Sequence, residues 1–355
     1  MTLLRKILVV LIITGLILTI FPVWNVQDNT NYVINDVKTE SKEDFFKDIE
    51  DDDIGGSRGA RIAKVASTKK AAEISDVGME TARLMLERAW TENITEAEII
   101  RAIDMKMVEL GSSSMLEAFG LLVVSGNDTG ESGGHGPSEN DDEVNQILPG
   151  EVVFVDIGAR YNGYTSDITR TFFMGEPTQQ MREVYQIILD AQEAAFAPIR
   201  HGTICGDVDK AARKVITDAG YGEYFSHCVG HGIGLDVHVP PTVCSDSMTP
   251  LSKARDDIIT IEPGIYIEDD FGIRTEDDVI VDWFGYEIIT FYPKNIEHMI
   301  IHPPENVSEP KEQAQKKWWE TDKGKQAITG GSLGIIIIIT VAFFLRKRKR
   351  ERIEE

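Results

Sequence analysis

Cysteine is scarce in this 355-residue chain: Cys205, Cys228 and Cys244 are the only three. So few, so unevenly spaced, exclude a disulfide scaffold and a structural zinc module, and at most one intrachain disulfide can form. Positive charge is short as well, with 36 Lys plus Arg against 59 Asp plus Glu, a net −23. That balance excludes nucleic acid or anionic lipid as the main partner of the bulk of the chain, whereas an acidic protein concentrates cations. The sequence also lacks short-period repeats. What remains is ordinary: 42% hydrophobic and 27% charged residues exclude wholesale disorder, a collagen-like chain and a polytopic membrane protein.

Two uncharged runs mark the ends. Residues 7–24 (ILVVLIITGLILTIFPVW) follow directly on Arg5 and Lys6 and read as a signal peptide or a signal anchor. The exit Phe21-Pro22-Val23-Trp24 offers no A-x-A-like cleavage site, which favours the uncleaved anchor. Residues 327–345 (AITGGSLGIIIIITVAFFL) are 19 without charge, close to the roughly 20 a helix needs to cross the hydrocarbon core. Arg346-Lys347-Arg348-Lys349-Arg350 follows at once. Both basic clusters favour the cytoplasm. The expectation is a cell-membrane protein with its central part on the extracytoplasmic side and the tail 346–355 in the cytoplasm. Residues 25–57 hold ten acids against three lysines and read as a solvated tether, with 303–326 as the matching stalk. Sequons at Asn93, Asn127 and Asn306 fit an exported domain.

Residues 58–302, about 245 in all, show alternating helical and strand periodicity with no internal linker, hence one domain. The spacing predicts a helix over 60–90 and a second opening at Thr95 with Glu98 completing a capping box. Further helices are expected over 179–196 and 206–219, and strands over 121–125, 152–156, 164–173, 258–262 and 275–281. Helices interleaved with mainly antiparallel hairpins make this an α+β domain.

The strand Val152-Val153-Phe154-Val155-Asp156 ends in a carboxylate, and Asn162-Gly163 is a strong two-residue hairpin signal. A turn there pairs Tyr161 with Tyr164 and places Asp156 opposite Thr169, with Asp167 a diagonal neighbour on the same face. Two inward carboxylates cannot both stay charged without a cation between them. The stretch 227–238 carries His227, His231 and His238 among three glycines, too many for a regular helix, so it forms a tight loop or bulged strand. Glu262 ends an apolar strand, and Arg274 and Glu276 share a strand face. Asp156, Asp167, His231, Glu262 and Glu276 together supply four carboxylates and one imidazole, the charge that two divalent cations neutralise. Oxygen-rich ligation with one nitrogen favours manganese, with cobalt, zinc and iron as alternatives, over a thiolate-selected metal.

The strings VDIGARYNGYTSDITRTF, SHCVGHGIGLDVH, TIEPGIYI and GIRTEDD, in that order, resemble the pita-bread metallopeptidases, the family of methionine aminopeptidase, aminopeptidase P and prolidase. The resemblance covers about 245 residues and implies the pita-bread (creatinase/aminopeptidase) fold. It implies Asp156, Asp167, His231, Glu262 and Glu276 as ligands of two metal ions, Asp167 bridging. It implies His135 as a substrate-contacting histidine, His227 and His238 as proton-shuttling or carbonyl-contacting histidines, and Arg274 as the arginine beside the last ligand. The segment Tyr164 to Thr171 and the doubled acid after Glu276 resemble the Xaa-Pro branch.

The implied activity is removal of the first residue from peptides with a free N-terminus, at Xaa-Pro bonds. A hydroxide between the metals is the nucleophile and Glu262 the proton carrier. The branch usually has an N-terminal domain that shapes the cleft and a homodimer; here that place holds an apolar run and an acidic tether. Peptide length preference and a homodimer are therefore not carried over with the motifs. A broader aminopeptidase, a peptide-binding module that has lost its metals, and a metal-free C–N hydrolase of the creatinase kind are the competing readings. The complete ligand set disfavours the last two.

Overall fold

The computed structural model describes residues 57–115, 121–131 and 145–304. Helix α1 (Ser57–Ala89) buries Met79, Ala82 and Leu86, apolar positions three and four residues apart, and Ile74 as well. Gly78 lets it sit close to its neighbours, since a Cβ there would lie 3.0 Å from both Ile157 Cδ1 and Met107 Sδ. Helix α2 (Glu96–Glu109) opens on the expected capping box: Glu98 N donates to Thr95 Oγ1 at 3.2 Å and Thr95 N donates to Glu98 Oε2 at 3.0 Å.

The helix pair leads into β1 (Leu122–Ser125), β2 (Val152–Ile157), β3 (Arg160–Tyr161), β4 (Tyr164–Thr165) and β5 (Ile168–Met174). Tyr161 pairs with Tyr164 and Asp156 with Thr169, the predicted register. Asn162 and Gly163 make the turn, both with positive φ (50° and 87°).

A second helix pair follows, α3 (Gln179–Phe196), capped by Thr178, and α4 (Cys205–Asp218). It leads into β6 (Gly230–Gly232), β7 (Val239–Val243), β8 (Ile258–Ile261), β9 (Gly264–Ile267), β10 (Phe271–Arg274), β11 (Asp277–Val281) and β12 (Tyr286–Ile288). These form a sheet of order β12-β11-β8-β6-β7 and a separate β9–β10 hairpin. A one-turn helix α5 (Ile296–Met299) then brings β13 (Ile300–Ile301) back alongside β5, in a first sheet of order β1-β2-β5-β13. Two helix pairs, each followed by antiparallel strands, share one hydrophobic core that includes Met79, Phe172, Ile188 and Val279. The class is α+β, as expected.

Four expected strands change at the carboxylates, the first being that expected over 258–262, which ends at Ile261 and leaves Glu262 just beyond it. The strand expected over 164–173 breaks at Ser166-Asp167, because Asp167 N donates to the Asp278 carboxylate at 2.9 Å instead of to a ladder carbonyl. The strand expected over 275–281 begins at Asp277, because Glu276 N turns to Thr169 O at 3.1 Å. Arg274 and Glu276 therefore do not share one strand: the arginine closes β10 and the glutamate lies between β10 and β11. Asp156, expected at a strand end, lies inside β2, which runs on to Ile157. No helix among the described residues is long and apolar enough to cross a membrane. The runs 7–24 and 327–345, His135, residues 25–56 of the tether and residues 305–326 of the stalk lie outside the described residues.

Candidate active site

The site forms where the breaks in β5 and β11 face each other. Thr169, opposite Asp156 in the β2–β5 ladder, donates its hydroxyl to Glu276 Oε2 at 2.7 Å and accepts from Arg274 Nε at 3.2 Å. Arg274 Nη2 donates to Asp156 Oδ2, and Nη1 donates to Tyr266 Oη at 3.1 Å. One buried guanidinium thus fixes a carboxylate of the first sheet to a threonine and a tyrosine.

The histidine segment is the bulged strand that its glycines suggest. The β6–β7 register shifts between His231 and Gly232. Gly230 is required there by close approach, since a Cβ would lie 2.0 Å from Thr260 O. His231 Nδ1 sits 3.1 Å from Gly232 O; a carbonyl only accepts, so Nδ1 carries the proton and Nε2 presents a lone pair. That nitrogen lies 3.7 Å from Asp167 Oδ2 and 3.5 Å from Glu262 Oε1. Donor atoms of Asp167, His231 and Glu276 all lie within 4.8 Å of one another. By the same logic His227 Nδ1 donates to Cys228 O at 2.7 Å, and its Nε2 accepts from Tyr266 Oη at 2.9 Å. His227 Nδ1 is 4.0 Å from Glu262 Oε2. The exposed His238 ring lies 4.2 Å from that of His231.

The electrostatics disfavour a full set of charged carboxylates. Burial first, then the charges of Glu276, Asp156, Asp278 and Glu262, push Asp167 well above the usual carboxylate range. Burial, then Glu262 and Asp156, does the same to Glu276. Burial carries Glu262 up to about 7 against the opposing pull of Arg274. Burial and then His238 bring His231 down to about 4, so at neutral pH it is an uncharged ligand-type imidazole. Asp156 Oδ1 and Asp167 Oδ1 are buried and have no hydrogen-bond partner among the described residues. Buried carboxylate oxygens without donors, beside a neutral imidazole lone pair, fit divalent metal ligation.

The structure thus gathers Asp156, Asp167, His231, Glu262, Glu276, His227, His238 and Arg274 in one place. Sequence reasoning missed Tyr266, Thr169 as a hydrogen-bonding group, and Asp278. Tyr266 lies within the quoted TIEPGIYI string, but its contacts depend on the β9–β10 hairpin turning back on His227. Reading the residues alone also left open which cysteines pair: Cys228, next to His227, is bridged to Cys244, and Cys205 is a buried free thiol.

Comparisons with known proteins agree with this geometry. Residues 66–282 match metallopeptidase family M24. An uncharacterised peptidase of Staphylococcus haemolyticus is 36% identical over 232 residues, 65% of this chain and 62% of its own length. The chain therefore spans less than two thirds of that relative. Among solved structures, an X-Pro aminopeptidase from Thermotoga maritima is similar with a TM-score of 0.59 at 35% identity, covering 67% of this chain and 63% of that one. An Xaa-Pro dipeptidase from Bacillus anthracis gives 0.60 at 33% identity over 74% and 72%. With the family match running through every motif from Asp156 to Glu276, the chain belongs to metallopeptidase family M24 and has its pita-bread fold.

Proposed function

We propose that the protein is a dinuclear-metal exopeptidase that removes the first residue from peptides with a free N-terminus, at Xaa-Pro bonds. The observation that carries this is the cluster of donor atoms of Asp167, His231 and Glu276 within 4.8 Å of one another, with Glu262 3.5 Å from His231, Asp156 held by Arg274, and Asp156 Oδ1 and Asp167 Oδ1 buried without a hydrogen-bond partner among the described residues. The Xaa-Pro preference is supported by the named activities of the similar solved structures.

Asp156, Asp167, His231, Glu262 and Glu276 would hold two divalent ions, manganese being the first choice for such oxygen-rich ligation. When bound, the ions lower the pKa of water and polarise the scissile carbonyl. Arg274 holds Asp156 in its ligating orientation, and Thr169 holds Glu276. Glu262 carries the proton from water to the leaving nitrogen. His227, oriented by Cys228 O and Tyr266, and the exposed His238, whose ring lies beside that of His231, would contact the substrate. His135 is assigned a substrate contact on the resemblance alone.

Chelator-sensitive release of the first residue from an Xaa-Pro peptide, abolished when the same peptide is N-acetylated, is the expected result. Cleavage of the acetylated peptide, or release that survives chelation, contradicts the exopeptidase reading.

The proposal includes placement of the catalytic domain, 58–302, outside the cytoplasm between two membrane segments. The Cys228–Cys244 disulfide supports an oxidising compartment. Protease added outside intact cells should then remove the domain; full protection overturns that placement.

A further inference from the structure

Gln192 of helix α3 is 1% exposed, and its amide hydrogen-bonds to the residues directly ahead of two proposed ligands. Nε2 donates to Ile261 O at 3.0 Å and to Thr275 O at 3.4 Å. Ile261 immediately precedes Glu262, and Thr275 immediately precedes Glu276. Lys294 Nζ donates to the amide's other end, Oε1, at 2.6 Å and to Asp277 Oδ2 at 2.7 Å. A cation against Oε1 settles which end of the amide is which, so both Nε2 hydrogens point at the two strand ends. The opposite side is held by Arg170, whose Nη1 donates to Glu276 O at 2.6 Å and Thr169 O at 2.9 Å. Both glutamates sit where the five-stranded sheet meets the β9–β10 hairpin, Glu262 just after β8 and Glu276 just before its ladder partner β11, and the amide nitrogen bridges the two segments beside the last ladder pair, Ile261–Asp277.

We infer that Gln192 is a positioning residue that sets the spacing of Glu262 and Glu276, and through them the binding of the metal pair. This rests on the dinuclear reading above. Gln192→Leu keeps the side chain's bulk and removes both donors. The test titrates manganese alone into the metal-free full chain, purified in detergent, by calorimetry, with steady-state kinetics and the thermal midpoint measured alongside.

The expected result is a folded variant whose affinity at one or both manganese sites falls about 10–100-fold, the usual size for an outer-layer partner. A similar fall in kcat with KM within about twofold should accompany it. A folded variant with wild-type manganese affinity and kcat overturns the inference, even if its thermal midpoint drops, because that is the signature of packing alone. If Gln192→Leu does not fold, Lys294→Met decides, since it leaves the amide in place but frees it to turn over. Weakened manganese binding supports the inference and wild-type binding overturns it. Wild-type protein that binds two manganese ions but cleaves no Xaa-Pro peptide sinks only the substrate assignment, whereas failure to bind manganese removes both readings.

Discussion

Asp167 is 3% exposed, accepts no hydrogen bond at Oδ1 among the described residues, and faces four other carboxylates. No contact among the described residues favours a buried acid there, and the proposed metal pair would account for it. Asp167→Ala should leave the metal-free protein as stable or more stable, while kcat falls about a thousandfold or more, several kcal/mol of lost metal-derived stabilisation. Unchanged turnover in the purified variant would remove Asp167 from the site. Arg274 makes the opposite case, because it is a buried cation with Asp156, Thr169 and Tyr266 on separate nitrogens. Lysine keeps the charge but not the fork. Arg274→Lys should lower stability by about 2 kcal/mol, the cost of stranding buried hydrogen-bonding groups, which urea unfolding would read.

The elements show why some of the site was readable and some was not. The Asn162-Gly163 turn fixed the β2–β5 register, so the facing of Asp156 and Thr169 followed from local chemistry. The glycines around His231 likewise signalled a tight loop or bulged strand rather than a helix, and the bulge is what forms. Long-range hydrogen bonds could not be read this way. The strand breaks at Asp167 and Glu276 depend on Asp278 and Thr169, over a hundred residues away in each case. Tyr266 and Gln192 act through partners that only the folded sheets bring near. The disulfide belongs to this scale too. Cys228 and Cys244 are 16 residues apart and span the loop holding His231 and His238, with His227 directly ahead of the first cysteine, and closing a loop of that size contributes about 3 kcal/mol. Replacing both cysteines by serine should lower unfolding stability by that order in denaturant. An unchanged midpoint would show that the loop is held by β6 and β7 alone.

For the whole molecule, the acidic site couples stability to pH. Asp167, Glu276 and Asp278 lie well above the usual carboxylate range, Glu262 is pushed to about 7, and burial raises Asp76 to about 6. The unfolded chain releases these protons near pH 4. Above that pH the folded metal-free protein holds more protons than the unfolded one, so its stability falls as pH rises from about 4 through 7. Manganese replaces the protons on the ligands, so in excess manganese the thermal midpoint should fall far less over that range. Parallel midpoint curves with chelator and with manganese would contradict the site's assignment. The described domain carries every proposed metal ligand, while the substrate rests on kinship with Xaa-Pro peptidases that the chain matches only in part. Mass spectrometry of products therefore tests the central claim most directly, using manganese-loaded protein and peptides that differ only in proline or alanine at the second position. Release of the first residue from the proline series alone is the predicted result. Cleavage of the alanine series to the same extent, or of neither series with any divalent metal, would contradict it.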